Sequence, residues 1–215
     1  MSQNRSSAVM AQRAEPHDSL DYFPTPPWAT RALCEWLKDR RLDMGSVWEP
    51  ACGDGHMSRP LGEYFEVVRS TDVHAYGFGV QQDFLWPVDD GARLEWIITN
   101  PPFRLAREFA LTALERATVG VALLVRTSFL EGGERHATLF RDRPPSDVLQ
   151  FCERVPMVKG RVDPDISSAT AYCWLVWRSA PVGLTALHWI PPCRRRLERA
   201  SDYPSPALVA AEAAP

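Results

Sequence analysis

WIITNPPFRLAREF (residues 96–109) decides how the chain is read. A run of apolar, partly β-branched residues stops at Asn100. Two prolines and an aromatic ring follow, and apolar residues then recur at helical spacing. The first run reads as a buried strand and the last as a helix, joined by a corner whose backbone the prolines hold near a φ of about −65°. Strand, tight corner and helix repeated along a chain make an α/β sheet, and such sheets take ligands outside the carboxyl ends of their strands. The residues that carry chemistry should therefore follow the strands.

Outward from that corner the pattern repeats. PPWATRALCEWLKDRRL (26–42) places Ala29, Leu33, Trp36 and Leu37 on one face of a helix that opens on proline. SVWEP (46–50) is a short strand, and HMSRPLGEYF (56–65) is a helix weakened by Pro60. EVVRSTD (66–72) is a second strand and RLEWIITN (93–100) a third, followed by the helix RLAREFALTALERA (104–117). VGVALLV (119–125) is continuously apolar, as in strands buried on both faces. AYCWLVWR (171–178), with Trp174 and Trp177 as core, and LTALHWI (184–190) read as a closing hairpin joined by SAPVG. The expectation from these segments is an α/β sheet with helices on both faces and a closing hairpin.

Composition narrows the function classes. The 215 residues suit one domain over 20–192, between a polar arm (1–19) and a tail (193–215) expected to be disordered. No apolar run reaches the roughly 18 residues of a membrane span, so the expectation is a cytoplasmic chain without a membrane partner. Five cysteines, none in a CxxC pair, predict neither a zinc site nor a disulfide frame. A net charge of −3 means that any nucleic acid must be attracted locally.

The strand ends carry a consistent chemistry. EPACGDG (49–55) puts Gly53 and Gly55 where backbone can approach a ligand, while Glu49 would repel a pyrophosphate but suits an amino group. Asp72, about 20 residues beyond the glycines, is placed for a ribose diol. Asp83 and Phe84 offer an acceptor and a ring to an adenine. A ligand with an amine, a ribose and an adenine but no phosphate is S-adenosylmethionine. At the corner, the Asn100 side-chain carbonyl and the Pro101 backbone carbonyl are two acceptors able to take both hydrogens of an exocyclic amine. Phe103 would stack on an extruded base, a contact worth about 1–3 kcal/mol. Duplex bases must be flipped out to reach such a pocket.

Taken in order and spacing, EPACGDG, TD (71–72), QQDF (81–84) and NPPF (100–103) resemble the S-adenosylmethionine-dependent methyltransferases of the adenine N6 amine in DNA, in particular the short phage and prophage forms. DYFPTPPWAT (21–30), LLVRTSFLEG (123–132) and SSATAYCWLVW (167–177) extend the resemblance over about 20–192. It implies the α/β, Rossmann-like fold of a class I methyltransferase, a mostly parallel seven-stranded sheet with a C-terminal antiparallel hairpin and helices on both faces. Tyr22, Thr25 and Pro26 would lie on the methionine carboxylate side and Glu49 at the methionine amine. Ala51, Gly53 and Gly55 would form the floor, Asp72 would take the ribose, and Asp83 with Phe84 the adenine. Asn100, Pro101, Pro102 and Phe103 would form the catalytic loop, with DNA as the partner and no metal. The same tetrapeptide occurs in methyltransferases of RNA guanine and protein glutamine, and a nucleic-acid-binding module without turnover is a further reading. No separate target-recognition domain is visible. Residues 126–161, with seven Lys or Arg against five Asp or Glu, are the candidate DNA-facing insert, and a partner or oligomer is the other source of recognition. His56 and His74 flank the strand ends. Cys52 reads as packing, PPC (191–193) lies outside the catalytic loop, and RRRLER (194–199) as a basic tail.

Overall fold

A computed structural model describes residues 21–86, 93–179 and 184–203. The expected polar arm and the far end of the tail lie outside these residues. Eight strands form one sheet in the order β3-β2-β1-β4-β5-β7-β6-β8. They are β1 (Ser46–Glu49), β2 (Val67–Asp72), β3 (Val80–Gln81), β4 (Trp96–Thr99), β5 (Gly120–Arg126), β6 (Asp147–Phe151), β7 (Tyr172–Arg178) and β8 (Ala186–Ile190). Strands β1 to β5 run parallel to one another, β7 is antiparallel to both β5 and β6, and β8 is parallel to β6.

Alternation along the central strands explains why both faces are covered. Trp96, Ile98, Leu124, Trp174 and Val176 pack into one cluster with Trp28, Leu33 and Leu37 of helix α1 (Pro27–Asp39). Ile97, Leu123, Val125, Leu175 and Trp177 point the other way, and pack with Phe109, Ala110 and Ala113 of helix α3 (Ala106–Arg116). Two of the buried indoles find acceptors: Trp174 Nε1 donates to the Ala29 carbonyl at 3.2 Å and Trp48 Nε1 to Thr71 Oγ1 at 2.9 Å. The first layer contributes the scaffold on which β1, β2 and β4 end side by side. Of the expected 56–65 helix only α2 (Ser58–Leu61) forms.

The α/β expectation stands, with corrections of detail. The sheet has eight strands: β3 has only two residues, and in β6 the polar Asp147 and Gln150 break both an alternating and a continuous apolar pattern. The antiparallel hairpin in the C-terminal part is β6–β7; AYCWLVWR and LTALHWI do not pair with each other, since β8 lies outside β6. Strand β6 lies within 126–161, so that stretch is not a free insert: Asp147 to Phe151 belong to the sheet. The tail is folded at its start. Arg31 of α1, only 3% exposed, donates from Nη1 to the Leu197 carbonyl (2.8 Å) and pairs with Asp202 and Glu63 (2.7 and 2.9 Å). Arg196 grips Glu35 with two bonds of 2.6 and 2.7 Å. A buried guanidinium must have its donors satisfied, and the tail carboxylate and carbonyl satisfy them.

Candidate active site

The carboxyl ends of β1, β2 and β4 open into a cavity of about 520 Å³. Its lining includes Tyr22, Thr25, Glu49, Ala51, Asp72, Asp83, Phe84 and all four residues of the 100–103 corner. Eleven of the fourteen residues singled out from the sequence thus share one space. Pro26 is the residue capping the start of α1, and Gly53 and Gly55 shape the turn rather than line the cavity.

The turn after β1 is built for close approach. Gly53 and Gly55 have φ of +50° and +81°, where a side chain is strained. A Cβ on Gly53 would meet Tyr22 Cε2 at 2.4 Å, and one on Gly55 the Phe78 ring at 2.6 Å. Asp72 anchors this turn: one carboxylate oxygen accepts the Gly53 N–H and the other the His74 N–H, both at 2.9 Å. It is 8% exposed, with lone pairs left for a further donor.

Glu49, 2% exposed at the end of β1, accepts a hydrogen bond from Ser58 Oγ. Burial pushes its carboxyl up to about 8, with the Asp72 charge acting the same way and the Ser58 bond opposing. A buried acid in an acidic corner is one that a cation would ionise. The sign for stability follows from the raised value. Between the unperturbed 4.5 and about 8, the folded chain holds a proton that the unfolded chain has lost, so stability contributed by protonated Glu49 is full below pH 4.5 and falls as pH rises toward 8. The expected slope is at most about 1.4 kcal/mol per pH unit. Glu49→Gln should flatten this component in denaturant titrations at pH 5 to 8; an unchanged slope would contradict the assignment.

At the corner after β4, Asn100 Nδ2 donates to the Phe23 carbonyl at 2.8 Å. That bond fixes which end of the amide is which, and Asn100 Oδ1 is left buried with no partner. Thr25 Oγ1 is likewise buried and unpartnered. Buried unpartnered polar atoms are uncommon, and these two belong to residues that line the cavity, where a ligand can supply the missing bond. The Phe103 ring packs against Phe23 (5.2 Å between centroids), and the Arg126 guanidinium lies 3.9 Å from its centre.

The aromatic and acidic neighbours complete the walls. Tyr22 donates from its hydroxyl to Asp54 at 2.6 Å and packs on Tyr76, ring centroids 4.7 Å apart. Burial and the Asp54 carboxylate hold the Tyr22 phenol well above its ordinary range. Asp83 is exposed at the rim, where it accepts the Leu85 N–H. Phe84 is 1% exposed and packs edge-on to Trp48, so most of its ring belongs to the core. Burial pushes the Cys52 thiol up to about 12, which leaves it a packing group as the sequence suggests. His56 lines the cavity with its pKa lowered by burial, an uncharged imidazole at neutral pH. Asp21, Phe23, Asp54 and Tyr76 are site residues that sequence reasoning did not single out. Asp21, Phe23 and Asp54 sit inside the quoted motifs, but nothing in their spacing indicates the bonds they make. Among the described residues no group of three His, Cys, Asp or Glu is placed to hold a metal. No described helix is long and apolar enough to cross a membrane.

No known family model and no curated protein matches the chain. Solved structures do. A protein described as a modification subunit of a type I restriction enzyme from Vibrio vulnificus superposes with a TM-score of 0.56 at 14% identity, covering 95% of this chain and 54% of its own. One described as an RNA methyltransferase from Pyrococcus horikoshii gives 0.56 at 16% identity over 80% of this chain and 96% of its own. The chain has the Rossmann-like fold of methyltransferases. It spans about half the length of the Vibrio subunit.

Proposed function

We propose that this chain transfers the methyl group of S-adenosylmethionine to the exocyclic N6 amine of adenine in DNA. The observation that carries the reading is the orphaned Asn100 Oδ1, held in the same cavity as Glu49 and Asp72 with its amide orientation set by Phe23. Bound here, the cofactor would supply an electrophilic methyl on a sulfonium.

The chain's own residues would do the rest. Glu49 faces the methionine ammonium, Thr25 Oγ1 gives a hydroxyl to the carboxylate, and Asp72 accepts from the ribose diol. Tyr22 and Ala51 flank the methionine, while Asp83 and the Phe84–Leu85 edge border the adenine. Asn100 Oδ1 and the Pro101 carbonyl accept the two N–H groups of the target amine. Its lone pair, otherwise delocalised into the base, is thereby turned outward. Pro101 and Pro102 keep the acceptors in place before the amine arrives, so little reorganisation is needed at the moment of reaction. Positioning of this kind supplies a large share of a barrier reduction without an acid–base pair. The methylated nitrogen then sheds a proton; two amide-type carbonyls are poor bases, and the proton leaves to water. Phe103 contributes the ring against which the extruded base rests.

Glu49 gives the cofactor assignment its own signature. An ammonium favours the carboxylate, so binding below pH 8 should expel a proton, and affinity should rise by up to about tenfold per unit from pH 6 to 8. Calorimetry in buffers of different ionisation enthalpy measures that proton. Binding with no proton release at pH 7 would contradict the placement of the ammonium at Glu49.

DNA is favoured among amine substrates by the combined motif set; the fold neighbours, one described as a restriction-enzyme subunit and one as an RNA methyltransferase at the same TM-score, do not choose between nucleic acids. Target recognition is assigned to a partner or a second copy rather than to 126–161, where Arg135, Arg141, Arg143 and Arg161 already meet carbonyls or carboxylates. The substrate is tested by offering labelled cofactor with plasmid DNA, structured RNA and a glutamine-bearing protein, then identifying the labelled group. Label on guanine or glutamine alone would reject DNA adenine. Cofactor and DNA binding without label transfer would favour a module that has lost turnover.

A further inference from the structure

The corner has few handles by which the rest of the protein can hold it. Pro101 and Pro102 have no N–H, so the first backbone donor after Asn100 is the Phe103 N–H. Asp21 takes it: its Oδ2 accepts from Phe103 N at 2.6 Å. The other handle is the Asn100 amide, taken by the Phe23 carbonyl at 2.8 Å. Both belong to one three-residue strap. Between them Tyr22 points its side chain elsewhere, to Asp54 and Tyr76 over the glycine turn, while its carbonyl accepts the Gly160 N–H at 3.0 Å. The Asp21 and Phe23 side chains both meet Phe103, while the Tyr22 side chain turns to Asp54 and Tyr76.

We infer that Asp21 is a positioning residue for the 100–103 corner: its carboxylate, bonded to the Phe103 N–H, sets the corner so that Asn100 Oδ1 and the Pro101 carbonyl meet the amine in register. The inference rests on the methyl-transfer reading for its consequence in turnover, but the contact itself does not. It makes the strap a link between two ligand regions. Tyr22 meets one region and Asp21 with Phe23 the other, so a cofactor that orders residue 22 also stiffens the corner. The role assigned to Asp21 is exerted through the Phe103 N–H that it holds.

Two variants separate positioning from mere packing. Asp21→Asn keeps an oxygen that can accept the Phe103 N–H, and Asp21→Ala does not. In the ligand-free protein, hydrogen exchange at the Phe103 amide should be slow in wild type and in Asp21→Asn and at least about tenfold faster in Asp21→Ala, because its one bond is gone. With cofactor and DNA, Asp21→Ala should lose about 100-fold in kcat, the scale of an ångström-sized misplacement, while KM for the cofactor moves by less than about threefold. Asp21→Asn should recover most of the rate. Equal exchange at Phe103 in wild type and Asp21→Ala would overturn the inference, as would an Asp21→Ala kcat within about twofold of wild type. If the wild-type chain methylates nothing, the methyl-transfer reading fails, and the exchange experiment, which needs neither cofactor nor substrate, still decides for or against Asp21.

Discussion

Asn100→Ala is expected to lower kcat by about 10²–10³-fold or more, with the cofactor dissociation constant nearly unchanged. The asymmetry follows from where the atoms sit. Asn100 Oδ1 is the buried, unpartnered acceptor, so its loss removes a bond made only with the substrate amine. Loss of Nδ2 frees the Phe23 carbonyl, a cost to the strap but not to the carboxylates that would hold the cofactor. Asn100→Gln is the sharper variant: it carries the same two atoms one methylene further out, and a misplacement on that scale should still cost about 100-fold. Single-turnover rates on a DNA duplex, beside calorimetric cofactor titrations, read both effects. Strong residual activity in either variant would remove Asn100 from the role proposed for it.

Asp72→Ala should act on the other side of the cavity. The carboxylate already accepts two backbone N–H groups and holds the 53–55 turn against β2. Its removal would leave the buried Gly53 N–H without its acceptor and would take away the acceptor proposed for the ribose. Hydrogen bonds to a charged group contribute about 1.5–3 kcal/mol each, so cofactor affinity should fall by about 3 kcal/mol, roughly a hundredfold. The chemical step on saturated enzyme should suffer much less. Affinity within about threefold of wild type would displace the ribose from Asp72.

What could be read from the chain, and what could not, has physical causes. Strand–corner–helix at 96–109 was legible because the buried strand, the prolines and the helical spacing each signal locally. The continuous apolar run at 119–125 was legible for the same reason, and it is the core of β5. Strand β6 was not, because DVLQF (147–151) is neither alternating nor continuously apolar. The order β7-β6-β8 is set by tertiary pairing, which no local pattern encodes. The start of the tail read as disordered because its arginines look solvated; their partners, Glu35, and Arg31 opposite the tail's own Asp202, lie more than 150 residues away. At the site, side chains at strand ends could be guessed from spacing. The strap's contribution could not, since Phe23 acts through its carbonyl and Asp21 through a backbone N–H.

The central claim is a geometric one, and a structure of the ternary complex tests it most directly. With S-adenosylhomocysteine and a DNA duplex bound, an extruded adenine should place its N6 within about 3 Å of both Asn100 Oδ1 and the Pro101 carbonyl, the distance of a hydrogen bond. The amine should face the cofactor sulfur, with Glu49 and Asp72 on the methionine amine and the ribose. An adenine held elsewhere, or a cofactor lodged away from the 53–55 turn, would contradict the account.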